Sequence, residues 1–182
     1  MTIDKDDAEL FFELFFPLLN YVNKELNIIP QIRKFRRGVN SDPMLLKKIA
    51  NGLWNDVDLV DSFLEKNGGE LSEDERQIIM SWKRRVTGKF VLERHLKSGS
   101  VFIDMKTEEV YLVKGLLSSW EEMIPKYALP IALDATLLPF KNAIVSDGLV
   151  APYNVAFGKN YRDSFKNHYM TAKKSGLLHK SI

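Results

Sequence analysis

From Asp7 to about Ile28 the apolar residues Leu10, Phe11, Leu14, Phe15, Leu18, Leu19, Val22 and Leu26 recur every three or four positions. This spacing predicts an amphipathic helix with one broad buried stripe. Pro17 falls inside it and is expected to kink or split it, because proline lacks an N–H and its ring collides with the preceding turn. Gln31 to Arg37 reads as a short helical piece stopped by Gly38. Asp42-Pro43 supplies a capping carboxylate and a first-turn proline for a helix to about Asn51. Asn55 to Lys66 repeats that logic, with Asp56 and Asp58 in the first turn, Val57, Val60, Phe63 and Leu64 inward, and Gly68-Gly69 as the stop. Ser72 and Glu75 form a capping box for a helix to about Val86 that turns Ile78, Ile79 and Trp82 inward.

At Gly88 the period changes from helical to alternating. Lys89 to Lys97 reads as a half-exposed strand, Ser98-Gly99 as its turn, Ser100 to Asp104 as the return strand and Val110 to Lys114 as a third. Two overlapping capping boxes at Ser118 and Ser119 predict one short helix ended by Pro125. Leu129 to Leu138 and Asn142 to Asp147 read as a hairpin around Pro139 to Lys141, with Gly148 allowing a turn or bulge. Asn160 to Lys174 closes the pattern as a helix on Tyr161, Phe165, Tyr169 and Ala172, and the residues after Ser175-Gly176 read as a frayed tail. The expected fold class is α+β: an N-terminal helical bundle over residues 1–86, packed on a C-terminal, mostly antiparallel β-sheet or small barrel with a closing helix over residues 87–182. Five strands with one helix between the third and fourth follow the element order of an OB-type barrel, and an open sheet is the other arrangement the pattern allows.

Composition narrows the chemistry. The 182 residues include no cysteine, which removes thiolate zinc sites, iron–sulfur clusters and cysteine nucleophiles. The longest apolar run, Leu10 to Leu19, is broken by Glu13 and Pro17 and is far short of the roughly 20 residues of a membrane span. The acidic start, Met1 to Asp7, is unlike the basic opening of a secretory signal, so a cytoplasmic protein without a membrane partner is expected.

The stretch Leu137-Leu138-Pro139-Phe140 followed by Asp147-Gly148-Leu149, with Val113 to Leu116 ahead of it and Tyr153 to Gly158 after it, resembles a group of uncharacterised bacterial proteins with that signature. Phe16 to Lys24 and Gly88 to Leu92 are similar to the same group, so the likeness spans most of the chain. The resemblance implies no activity. Some members end in a cysteine-rich zinc motif, which this cysteine-free chain does not share.

Net charge is +2, and its distribution says more than its sum. Up to Glu75 there are 9 Lys and Arg against 15 Asp and Glu; from Arg76 onward there are 17 against 9. Two basic clusters stand out. The denser comprises Lys83, Arg84, Arg85, Lys89, Arg94 and Lys97, with Trp82, Phe90 or Phe102 as stacking faces if exposed. The other comprises Arg33, Lys34, Arg36 and Arg37 around Phe35. Such density suits phosphate contacts, whereas the plainer account is macrodipole compensation and a solvated face. Glycine-rich phosphate loops and histidine pairs at metal-ligand spacing are absent, so no metal and no cofactor are expected. Asp134, inside an apolar strand, and Asp147 are the carboxylates to examine. With His95 they could form an acid/base set if the fold brought them together; otherwise alternation sends Asp134 to water and Asp147-Gly148 is turn chemistry. The remaining histidines, His168 and His179, read as surface residues. The leading expectation is a non-catalytic binding module with nucleic acid or an acidic protein as partner, and the alternative is an enzyme using Asp134, Asp147 and His95.

Overall fold

The structure is a computed structural model that describes residues 1–36, 38 and 42–182. Arg37, in the second basic cluster, lies outside the described residues. The chain divides into two compact units, one of residues 6–84 and one of residues 1–5 with 85–182. The class is α+β, as the hydrophobic periods predict.

The first unit is helical: α1 (Lys5–Leu26), α2 (Pro43–Asn55), α3 (Asp58–Asn67) and α4 (Glu73–Ser81). Pro17 does not split α1, which runs through it for 22 residues. Pro17 itself is exposed, and so is Glu13, whose carbonyl loses the bond that proline cannot donate; water can take that place. Leu14 and Phe15 before it, and Leu18 and Leu19 after it, stay buried on one face. Phe15 stacks on Trp54 at 6.2 Å between ring centroids, and Trp82 packs against Phe11 and Phe15 at 5.4 and 5.7 Å. Asp42 caps α2 as predicted, accepting from the Met44 amide at 2.8 Å, but the helix continues to Asn55. Asn55 is therefore no cap for α3, which starts after Val57 without a side-chain cap. The Ser72–Glu75 capping box is formed.

Residues 31–36 are not helical. Two asparagines of α1 hold this stretch extended instead. Asn23, 5% exposed, accepts from the Ile29 amide at 2.8 Å and donates to the Ile29 and Ile32 carbonyls at 3.2 and 2.9 Å. Asn20 accepts from the Phe35 amide and donates to the Phe35 carbonyl at 2.8 Å. With the Ile32 amide bonded to the Ile29 carbonyl at 3.1 Å, these side chains take up polar backbone groups of Ile29, Ile32 and Phe35 that coiling would otherwise have to satisfy, and Phe35 is fully buried.

The second unit contains β1 (Val86–Leu96), β2 (Gly99–Asp104), β3 (Val110–Val113), α5 (Trp120–Met123), β4 (Ile131–Phe140), β5 (Ala143–Ser146), β6 (Ala151–Pro152), α6 (Lys159–Lys174) and β7 (Leu178–His179). Strands pair in the order β1-β2-β3-β5-β4, and β4 pairs back onto β1. The ring of pairings is closed, with the strand order of an OB-type barrel and α5 between β3 and β4. All ring pairs are antiparallel except β3–β5. One strand serves two neighbours because β1 is long: Val86 to Leu92 face β4 and Phe90 to Leu96 face β2, with a bulge at Glu93. The β1–β2 turn is Lys97-Ser98, one step earlier than predicted, and Gly99 opens β2 at φ +149°, where a Cβ would lie 2.9 Å from the Val113 carbonyl oxygen. Pro139 sits within β4 and the hairpin turn is Lys141-Asn142, one step later than predicted.

Phe90, Leu92, Phe102, Tyr111, Val113, Leu133, Ala135, Leu137 and Ile144 fill the barrel, joined by Trp120 of α5. A second core lies outside it. Val91, Val101, Ile103 and Val110, on the opposite face of β1, β2 and β3, pack with Tyr169 and Ala172 of α6. Both faces of β2 and β3 are therefore buried. The residues after Gly176 are not a frayed tail, because β7 pairs parallel with β3.

Candidate nucleic-acid interface

The register of β1 fixes where the proposed acid/base residues lie. Asp134 is opposite Lys89, Asp147 donates its amide to the carbonyl of Thr136, which is opposite Thr87, and His95 is opposite Ser100. His95 is six residues along β1 from Lys89, about 20 Å of strand at roughly 3.3 Å per residue. The three side chains do not meet in one site. Asp134 points outward, as alternation predicts, and accepts from the Tyr153 hydroxyl at 2.6 Å, which pushes the Tyr153 pKa up. Lys89 sits 5.3 Å from the centre of the same ring. Asp147 forms a turn, accepting from the Leu149 amide at 3.0 Å with Gly148 at φ +76°. His95 is satisfied on both sides, by the Ser100 hydroxyl and the Ile124 carbonyl, each at 2.8 Å. Burial lowers its pKa, which favours the neutral ring that these two partners suit.

The basic clusters are also redistributed. Trp82, Phe90, Phe102 and Phe35 are all fully buried and offer no stacking face. Lys83 pairs with Asp61. Arg94 forks onto the carboxylate of Glu93, whose side chain is 8% exposed, and stacks on Tyr169 with its guanidinium 4.6 Å from the ring centre. Arg85 is half-buried, whereas Arg84 and Lys97 are exposed. In the helical unit, Arg33 and Arg36 line two adjoining grooves of about 730 and 390 Å³ along α1. The smaller groove sets Glu9 and Glu13 across from Lys34 and Arg36, with Phe12 and Phe16 between them. Its mixed charge is a poor match for a polyanion.

Most of the barrel unit's excess positive charge lies on α6, whose apolar side faces the barrel. The barrel unit has 15 Lys and Arg against 10 Asp and Glu, an excess of five, and α6 carries four of that excess: Lys159, Arg162, Lys166, Lys173 and Lys174 against Asp163. All five cations are exposed. Among the described residues none pairs with a carboxylate, although Asp163 is one helical turn from both Lys159 and Lys166; Arg162 donates only to the Phe157 carbonyl, at 2.9 Å. At about 100° per residue, Lys159, Arg162, Lys166 and Lys173 fall within an arc of about 60°. The spacing of three, four and seven residues was present in the sequence, next to the apolar stripe. Beside it runs a shallow groove lined by Asn160, Asp163, Ser164, Asn167, His168 and Thr171.

No protein-family model, no curated protein and no solved structure matches this chain. The site is therefore read from its own chemistry. Among the described residues no group of His, Asp and Glu is arranged to hold a metal ion, and no helix is long and apolar enough to cross a membrane.

Proposed function

We propose that the protein is a non-catalytic, cytoplasmic binding module whose basic surface takes nucleic acid, with an acidic protein surface as the competing partner. The observation that carries this reading is the placement of the barrel unit's excess charge on the exposed side of one helix, unpaired among the described residues. Five cations left without carboxylates repel one another and cost stability, a cost that a polyanion reverses by releasing its condensed counterions. Arg84, Lys89, Lys97 and Arg33, from the two sequence clusters, are exposed and belong to the same proposal; Arg36, in a groove with Glu9 and Glu13, contributes less. The enzyme reading has no comparable support, because Asp134, Asp147 and His95 each have a structural partner and stand apart.

The test is binding of mixed-sequence nucleic-acid fragments and of polyglutamate across a salt series. Nucleic-acid binding that weakens steeply with salt is the expected result. Preference for polyglutamate would transfer the reading to an acidic protein, and no binding of either at low salt would overturn it.

A further inference from the structure

We infer that α6 is a recognition helix for duplex DNA, entering the major groove with its cationic row against the phosphates. The inference rests on the binding-module reading and names the class of nucleic acid. Three observations select the duplex. First, no row of aromatic platforms tracks a single strand: Trp82, Phe90 and Phe102 are buried, the outer face of β2 and β3, where OB-type barrels bind oligonucleotides, lies under Tyr169 and Ala172 of α6, and the exposed Tyr127 and Tyr161 belong to separate elements. Second, the helix that covers that face presents a straight cationic row. Lys159 to Lys173 spans about 21 Å at 1.5 Å per residue, the length of about six base pairs at 3.4 Å each.

Third, the row has a polar companion. Asn160, Ser164, Asn167 and Thr171 lie within a second arc of about 60° on the other exposed flank. All four are exposed, and among the described residues none of these side chains has a hydrogen-bond partner. Asparagine can bond adenine through two atoms, and serine and threonine hydroxyls reach phosphates or base edges. Between the two rows stand Met170, Asp163 and Lys174; Asp163 is the one acid at the leading edge, where a carboxylate can accept from cytosine and repels phosphate. The opposite side, Phe165, Tyr169 and Ala172, anchors the helix to the barrel. A side-chain-clad helix about 10–12 Å across fits the B-form major groove of about 12 Å, but not the deep, narrow one of an RNA duplex.

The experiment measures fluorescence anisotropy of the full chain with a mixed-sequence DNA duplex of about 20 bp, its single strand, and the matching RNA duplex, each across a salt series. The DNA duplex is expected to bind tightest. In the variant Lys159→Gln/Arg162→Gln/Lys166→Gln/Lys173→Gln, the slope of log affinity against log salt should shrink by about 3–4, at about 0.9 per lost phosphate contact. Asn160→Ala/Asn167→Ala should keep the slope while flattening preference among duplex sequences. All six positions are exposed, and removing four cations relieves their mutual repulsion, so the melting temperature should hold or rise despite the lost Arg162–Phe157 bond; hydrogen exchange on the unmodified protein gives a second readout: the duplex should protect residues 159–174. Equal or tighter binding of the single strand or the RNA duplex, an unchanged slope in the fourfold variant, or protection confined to other segments would overturn this assignment while leaving a nucleic-acid module standing. No nucleic acid bound at low salt would remove both.

Discussion

Residues 32–36 of the helical unit and β4 of the barrel unit both run without coiling, yet their hydrogen bonds come from different sources. β4 takes its partners from backbone on either side, β1 along one edge and β5 along the other. The stretch from Ile29 to Phe35 has one backbone turn bond, Ile32 to Ile29, and takes the rest of its described bonds from the side-chain amides of Asn20 and Asn23. A ladder distributes the load over many bonds and over the apolar faces that alternate with them. An amide clamp concentrates it on two residues. The comparison predicts that the barrel fails through its core and the clamped segment through single polar atoms.

Substitutions can break that contrast at either end. The largest effect is expected for Phe102→Ala, which empties a fully buried position inside the barrel beside Trp120, Phe90 and Leu133; urea denaturation should show a loss of about 3–5 kcal/mol. Asn23→Ala should cost about 1–3 kcal/mol by stranding the Ile29 amide and the Ile32 carbonyl, since the Ile29 carbonyl keeps its bond from the Ile32 amide. Its signature is local: amide exchange at Ile29 should accelerate while β4 amides stay protected, and an equal acceleration in β4 would contradict the clamp. Ser72→Ala removes the N-cap of α4 and should cost about 1 kcal/mol, read from the same denaturation curves. The smallest effect is a pH dependence. Burial holds the pKa of His95 below its unfolded value, with the Ile124 carbonyl and then Glu121 opposing the shift and Lys126 adding to it. The unfolded chain therefore binds this proton more readily, and stability should fall as pH drops through about 6.5 toward the lower folded pKa. His95→Gln should flatten that slope in thermal melts between about pH 7 and pH 5; an unaltered slope would assign the effect elsewhere.

The same contrast explains how much was legible in the sequence. Helices α1 to α4 and strands β1 to β5 follow from apolar periodicity and local capping, because those signals are local. So does the outward turn of Asp134, which needs only alternation. The extended form of residues 31–36 was illegible, since the two amides that hold it belong to a different helix and nothing in Gln31 to Arg36 announces them. β7 was hidden for a related reason: two residues, Leu178 and His179, carry no pattern, and His179 stays by stacking on Tyr111 at 5.1 Å. The basic clusters were visible as composition, but which cations are engaged depends on Asp61, Glu93 and Tyr169, distant or unremarkable in the chain. The row on α6 is legible as a spacing of three, four and seven residues, but that none of its cations is paired depends on which carboxylates the fold brings near.

Closing β4 onto β1 also bears on how the barrel unit meets other copies of itself. An open sheet of this size would end in long strands with free N–H and C=O groups, a template for growth from chain to chain. Here the ring gives each of its five strands a neighbour on both sides, the least-paired seam, β3–β5, joins strands of only four residues, and the strands added outside it, β6 and β7, are two residues each. One of those is Pro152, which has no N–H to give. The strand-rich unit therefore offers a neighbouring chain almost nothing to extend, and should resist fibrillar aggregation at concentrations where an open sheet of the same sequence would not.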